Sequence, residues 1–306
     1  MEVCALTGNK DYLQYSIDWA DYNQWKGATS NNKAEWRSTY GESPEYVLFG
    51  DWQVCFQTYA DLYKLDPDTI KIARAREVME YQMSTSKLDY WHWVDALYMV
   101  MPVMVKMYDI TKNPLYLEKL HQYLTVTDSI MYDREVGLYY RDAKYPYPFH
   151  KTINGKKDFW SRGDGWAFAA FAKVLKQLPA EDKYREEYIT RFQTMAKSIA
   201  ACQQPEGYWT RSLIDPEQAP GPETSGTALF TYGFLWGINN GLLNADIYSP
   251  IVEKAWNYLK TTALQADGKI GYIQPVGEKA IPGQVVDANS CFNFGIGAFL
   301  LAACER

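Results

Sequence analysis

Helical periodicity recurs along the whole chain and limits the possible folds more than any other feature of the sequence. Apolar side chains fall three or four positions apart in successive segments, as in Trp52, Phe56, Tyr59 and Tyr63. Alternation with a period of two, which indicates strands, is hard to find. The pattern predicts an all-α fold with helices over residues 9–25, 51–65, 68–83, 92–109, 114–130, 162–178, 183–204, 224–241, 248–265 and 288–303.

The turns between these helices resemble one another. Residues 6–13 (LTGNKDYL) are similar to residues 110–117 (ITKNPLYL), and looser copies begin at Leu65, Leu178 and Leu243. A turn followed by an aromatic amphipathic helix, repeated along a chain, is typical of a stack or a ring of helical hairpins. A closed ring gives an α/α toroid, and an open solenoid is the alternative. Since no linker rich in Pro, Gly or Ser is present, we expect a single domain over residues 1–306.

Two long stretches without helical periodicity interrupt the repeats, at residues 132–159 and 206–223. Long irregular segments in a compact domain are usually functional, and uniform solenoid repeats accommodate them poorly. The first stretch combines aromatic side chains with positive ones, including Arg141 and His150, although the net charge of the chain is -6. Aromatic faces pack against sugar rings, so this combination favours an anionic sugar as the ligand. An aromatic-rich core is the structural alternative for the 11 Trp and 25 Tyr residues.

Several classes of function are disfavoured by what the sequence lacks. No run of Lys or Arg offers the basic surface that nucleic acid requires. The five Cys and three His residues show no metal-ligand spacing, so we expect no metal. No apolar stretch approaches the ~20 residues of a membrane span, which argues against a membrane partner. Residues 1–7 do not resemble a signal peptide, and the compartment, cytoplasmic or periplasmic, stays open.

Asp95 is the first candidate for a catalytic role, because it opens a predicted helix beside two indole rings. Trp91 and Trp93 precede it and are candidates for substrate contact. Rings around a carboxylate exclude water and raise its pKa, as a general acid requires. A helix N-terminus lowers the pKa, so the sequence leaves the net direction open. The structural alternative is a helix-capping aspartate.

Asp51 is a second candidate, since it also opens a predicted helix beside a tryptophan. Alone it is equally well explained as a cap. Two aspartates at the N-termini of alternate helices of one ring converge on its mouth, where one charge keeps the other protonated. Other acids are equally available by residue type, namely Asp133, Asp142, Asp158, Asp164 and Glu223.

The segment from Phe159 to Trp166 (FWSRGDGW) places Arg162 between two tryptophans. Its guanidinium suits a carboxylate or sugar hydroxyls, and the glycines allow a ligand to approach the backbone. The segment lacks the Lys-Ser/Thr ending of a phosphate loop. A surface arginine stacked on Trp160 is the structural alternative.

Four segments together resemble glycoside hydrolase family 105, the bacterial unsaturated rhamnogalacturonyl hydrolases. They are residues 93–97 (WVDAL), 159–166 (FWSRGDGW), 222–243 and 271–277 (GYIQPVG), and the likeness covers nearly the whole chain in the same order. The resemblance implies a six-hairpin (α/α)6 barrel without metal or cofactor. It implies that Asp95 is the catalytic acid/base, that Asp51 is a second active-site aspartate, and that substrate is contacted by Trp93, Trp160, Arg162 and Trp166.

The chain departs from the family pattern at three places. Trp52 and Gln53 stand where the family often has an acid and a His, which weakens the assignment of Asp51. Arg141 aligns with a substrate-contacting His of the family, and His150 is the alternative for that contact. The likeness begins inside the first barrel helix, so we expect that an upstream segment precedes it in the whole protein.

The reaction implied by the resemblance is hydration of a vinyl ether. The enzyme removes a 4,5-unsaturated uronic acid from the non-reducing end of oligosaccharides derived from pectin (rhamnogalacturonan). The alternatives are an unsaturated glucuronyl hydrolase acting on ulvan or glycosaminoglycan fragments and a non-catalytic oligosaccharide-binding barrel. A sugar epimerase of this shape relies on several histidines, and the three here are scattered.

Overall fold

The computed structural model describes residues 1–306 and consists of helices joined by turns and irregular segments. The predicted all-α class is confirmed. Two strands, β1 (Tyr132–Asp133) and β2 (Leu138–Tyr139), form a small antiparallel hairpin. The helices are α1 (Glu2–Thr7), α2 (Lys10–Tyr22), α3 (Gly50–Gln53), α4 (Phe56–Leu65), α5 (Ile70–Ser84), α6 (Asp95–Thr111), α7 (Leu115–Met131), α8 (Ser161–Gln177), α9 (Arg185–Ala200), α10 (Thr224–Asn239), α11 (Ala245–Tyr258) and α12 (Asn293–Glu305).

The observed helices depart from the predicted ones mainly at their ends. The predicted helix over 51–65 is divided into α3 and α4, although the backbone of Val54 and Cys55 between them stays helical. The last helix begins at Asn293 rather than at 288, because the Asp287 carboxylate accepts hydrogen bonds from the backbone N–H of Asn289 and the hydroxyl of Ser290. Such side-chain turns compete with helical hydrogen bonding.

The chain forms two compact units, and the prediction of one domain over 1–306 stays a prediction. The first unit comprises Met1–His92, Ala96–Ser129 and Lys176–Pro179. In this unit the buried Tyr59 contacts the rings of the exposed Trp19 and the buried Trp25, at 5.6 and 5.3 Å between centroids. None of the helices in the structure has the length and apolar character that crossing a bilayer requires.

The second unit comprises Trp93–Asp95, Ile130–Leu175 and Ala180–Arg306. Phe168 of α8 lies at its centre, stacked on Phe192 of α9 at 4.5 Å and edge-on to Phe234 of α10 at 5.3 Å. Gly233 permits this contact, because a Cβ there would lie 2.4 Å from the Phe168 ring. The two stretches predicted to be irregular fall in this unit. They contain the β1–β2 hairpin and one short 3-10 turn, Pro216–Gln218.

Candidate active site

Asp95 lies at the first position of α6, and the segment before it is paired with the first irregular stretch. The backbone N–H of Val94 donates to the carbonyl of Arg141 at 2.8 Å. Trp93 forms an antiparallel bridge with Asp142. This pairing brings Arg141, which is distant in sequence, beside the carboxyl group of Asp95.

One oxygen of the Asp95 carboxyl group is shielded from solvent. This atom, Oδ2, is buried and accepts no hydrogen bond. Burial raises the pKa of Asp95, while the positive charges of Arg141 and Arg162 oppose that rise. The net direction, which the sequence left open, is upward. A carboxyl group with a raised pKa keeps its proton closer to neutral pH, as a proton donor must.

Arg141 is surrounded by acidic side chains. Its Nη1 lies 2.6 Å from Oδ2 of Asp142 and 3.7 Å from Oε2 of Glu278. Burial alone would lower the pKa of the guanidinium, but the charges of Asp95, Asp142 and Glu278 raise it. The Nε atom of Arg141 is buried without a hydrogen-bond partner. The guanidinium is therefore held positive, and its buried Nε donor is not used by any group of the protein.

Arg162 is buried, with 3% of its surface exposed, so the alternative of a surface arginine is wrong. The predicted stacking on Trp160 is present, with the guanidinium carbon 4.5 Å from the ring centroid, and the same carbon lies 4.7 Å from the centroid of the Phe294 ring. Its Nη1 and Nη2 donate to the carbonyls of Gln274 and Pro275 at 2.7 and 2.8 Å. Burial lowers the pKa of Arg162. Its donors thus bind the backbone of the segment that follows Ile273.

Glu223 was only one of many acids by residue type, and the structure gives it a defined place. It caps α10: its carboxylate accepts the backbone N–H of Ser225 at 3.2 Å and of Gly226 at 2.6 Å. It also accepts the N–H of Gln274 at 3.1 Å and lies 3.7 Å from Nη1 of Arg162. The signal in the sequence was an acid directly before a predicted helix.

Gln274 is a site residue that the sequence did not indicate individually. Its side-chain oxygen accepts the indole N–H of Trp160 at 2.8 Å, and its amide donates to the Lys279 carbonyl at 2.8 Å. Gln274 and Trp160 are both buried. Gln274 thereby connects the Trp160 ring to the segment that carries Glu278.

His150 occupies the same irregular stretch as Arg141. Its Nε2 lies 2.7 Å from Oδ2 of the buried Asp158, and the Tyr145 ring contacts it edge-on at 4.7 Å. Burial and the nearby charge of Glu278, the carboxylate beside Arg141, raise the pKa of Tyr145. His150 is thus linked to the acidic surroundings of Arg141 through one tyrosine.

The remaining predicted residues differ in burial. Trp93 is buried in the second unit, and Trp166 in α8 is partly buried. Trp91 belongs to the first unit, where 2% of it is exposed and its ring meets Tyr123 edge-on at 5.2 Å. It is thus a core residue there. Asp51, also in the first unit, is an exposed residue of the short helix α3.

A family model, Glycosyl Hydrolase Family 88, matches residues 1–306. The chain is 37% identical over 226 residues to "Unsaturated 3S-rhamnoglycuronyl hydrolase" of Formosa agariphila, covering 72% of this chain and 59% of that protein. It is 36% identical over 215 residues to a protein of the same name from Alteromonas sp., covering 70% of this chain and 51% of that protein. The chain thus spans between about half and three fifths of the length of these relatives.

Two solved structures are also similar to the chain. One, named a polysaccharide lyase, is 72% identical, with a TM-score of 0.98 over 100% of this chain and 86% of that one. The second, described as a Clostridium (C. acetobutylicum) glycoside hydrolase from family 105, is 22% identical, with a TM-score of 0.76 over 99% of this chain and 89% of that one. These likenesses show the fold, and the predicted α/α-barrel class is confirmed.

Proposed function

This chain belongs to Glycosyl Hydrolase Family 88, and from that membership we propose that it removes a 4,5-unsaturated uronic acid from oligosaccharides that lyases release from pectin (rhamnogalacturonan). The uronic acid is the non-reducing terminal residue. One observation supports the proposal above the others. The partnerless carboxyl oxygen of Asp95, with its pKa raised by burial, lies within the electrostatic influence of Arg141 and Arg162.

In the proposed reaction Asp95 gives its proton to C4 of the unsaturated ring. The electrons of the C4–C5 double bond form the new C–H bond, and the ring oxygen stabilises the positive charge at C5. Water then adds to C5 and returns a proton to the Asp95 carboxylate, which restores the acid. The resulting hemiketal opens to a ketone at C5, and the aglycone leaves from C1. Because no proton is given to the glycosidic oxygen, the spacing rule for pairs of glycosidase carboxylates does not apply to Asp51 and Asp95.

Arg141 is the better candidate to meet the C6 carboxylate of the substrate. The Nη atoms of Arg162 already donate to two backbone carbonyls and Arg162 is 3% exposed, whereas the side chain of Arg141 is 23% exposed. A guanidinium that a ligand can reach can bind a carboxylate through a charge-assisted hydrogen bond. In this proposal Arg162 mainly supports the Trp160 ring, and the sugar packs on Trp93, Trp160 and Trp166. His150 positions Tyr145.

Asp51 is proposed as the second active-site aspartate, on the resemblance alone. The names of the two relatives point to a rhamnose-linked uronide, which includes fragments of ulvan as well as of rhamnogalacturonan. A panel of unsaturated disaccharides from rhamnogalacturonan, ulvan, heparin and chondroitin separates these aglycones.

A lyase is the second candidate, because the protein at 72% identity is named one. A lyase needs a deprotonated base to take the C5 proton, whereas burial favours the protonated form of Asp95. The two activities change ultraviolet absorbance in opposite directions, since a lyase creates the conjugated double bond and the hydrolase consumes it. Loss of absorbance from the disaccharides is expected. A gain of absorbance from intact polysaccharide would identify a lyase, and binding without change would identify a non-catalytic barrel.

A further inference from the structure

We propose that Glu278 is an internal counter-ion of Arg141, which the carboxylate of the substrate displaces on binding. Glu278 then determines how strongly the site discriminates acidic from neutral sugars. This inference rests on the proposed function, because it takes Arg141 as the partner of the uronic acid. It starts from the charges that surround the two arginines.

Most of the positive charge at the site is already balanced by carboxylates, so little remains for an anionic ligand. The charges of Arg141 and Arg162 oppose the rise in the pKa of Asp95, and three further carboxylates lie beside the two arginines. Asp142 and Glu278 lie next to Arg141, at 2.6 and 3.7 Å, and Glu223 lies 3.7 Å from Arg162. A uronic acid entering this arrangement meets an already neutralised pair of arginines. Binding is therefore expected to require that one of the carboxylates leaves.

Asp142 and Glu223 are fixed in place. Asp142 is buried and accepts the backbone N–H of Lys144 at 2.8 Å in addition to the contact with Arg141. Glu223 has no exposed surface and accepts the hydroxyl of Ser225 at 2.6 Å in addition to three backbone N–H groups. Removing either carboxylate from its donors would leave buried polar groups unsatisfied, which is costly.

Glu278 has the opposite character. Its side chain is 43% exposed, and its contacts with Arg141 and Lys144 are long, at 3.7 and 3.9 Å. It lies in an irregular segment, outside the helices and strands. Exposed ion pairs of this kind contribute little free energy. A uronate carboxylate that forms a charge-assisted hydrogen bond to the guanidinium binds more strongly and can take the place of Glu278.

The exchange sets how tightly the site binds acidic sugars. A uronic acid replaces one carboxylate by another, so the charge around Arg141 is conserved. A neutral sugar cannot replace Glu278 and leaves Arg141 occupied. The affinity for a uronic acid is reduced by the strength of the internal pair, so weakening that pair should strengthen binding.

The variant that tests this is Glu278→Gln, which keeps the shape and removes the charge. KM for the unsaturated disaccharide is expected to fall about two- to fivefold, because that factor corresponds to the free energy that an exposed ion pair contributes. We expect kcat to stay within about twofold of wild type. In titration calorimetry the saturated sugar galacturonate should bind more tightly by the same factor, while galactose should be unaffected. Glu135→Gln is the matched control, because Glu135 is 84% exposed and paired with Lys157 at 2.8 Å.

Unchanged or weaker binding of galacturonate by Glu278→Gln would overturn the proposal. So would a loss of kcat greater than about tenfold, since that would give Glu278 a part in the chemistry. The calorimetric measurement does not depend on turnover. If neither protein consumes the disaccharide but galacturonate binds the variant more tightly, the proposed function fails and the role of Glu278 stands.

Discussion

Replacing Asp95 by Asn should remove activity and make the protein more stable at neutral pH. The amide has the shape of the carboxyl group but has no proton to give to C4. Loss of a general acid costs about 10²–10⁴-fold in rate, and here the same group also activates the water. We expect kcat to fall by at least that range, with substrate affinity within about tenfold of wild type.

The gain in stability follows from the buried carboxyl group. In the folded protein its pKa lies above the ordinary value of 3.8. The folded state therefore holds a proton that the unfolded state loses. The stabilisation that this proton provides is complete below pH 3.8 and is lost as the pH rises through the folded-state pKa. Over that interval wild-type stability falls by about 1.4 kcal/mol per pH unit, and Asn has no such dependence.

Urea denaturation of both proteins across this pH range measures the difference, and ultraviolet absorbance measures turnover. Asp246→Asn is a matched control, since Asp246 is also an aspartate of a first helical turn but is exposed. It should retain activity and lose only a few tenths of a kcal/mol. The reasoning is refuted if Asp95→Asn turns over substrate at the wild-type rate, or if its stability relative to wild type does not increase with pH.

Three other variants test the surroundings of Asp95. Arg141→Gln should raise KM and move the alkaline limb of the kcat/KM profile to higher pH, because Arg141 opposes the rise in the pKa of Asp95; an unmoved limb would contradict this. Arg162→Ala should lower the free energy of unfolding by about 3–5 kcal/mol, because Glu223 and two carbonyls lose a buried partner. We also expect Arg162→Ala to raise KM, because the Trp160 ring loses its support. Arg162→Lys keeps the charge, so denaturation and kinetics of this variant separate the effect on stability from the effect on KM. Asp164 is buried with its pKa raised well above 3.8, so the stability of Asp164→Asn relative to wild type should increase as the pH rises above that value. A difference in the free energy of unfolding that is the same at all pH values would exclude this prediction.

Much of the fold was predictable because helices are local. The spacing of side chains such as Phe168 and Phe171 places one face of α8 in the core whatever the rest of the chain does. Helix ends were less predictable, since they depend on individual hydrogen bonds such as the turn at Asp287 that delays α12. The neighbouring indole rings made Asp95 a candidate, and the likeness to a family, rather than periodicity, implied its role and the reaction.

The sequence by itself determined the helical repeats, the two irregular stretches, and an aspartate and an arginine beside indole rings. Only the tertiary structure decided the burial, the neighbouring charges and the hydrogen-bond partners of those groups. The pKa of Asp95 depends on burial and on the charges of Arg141 and Arg162, and the buried guanidinium of Arg162 depends on backbone carbonyls that follow Ile273. Electrostatic and desolvation effects act through space, so residues far apart in the chain set them, and no local pattern of side chains records them.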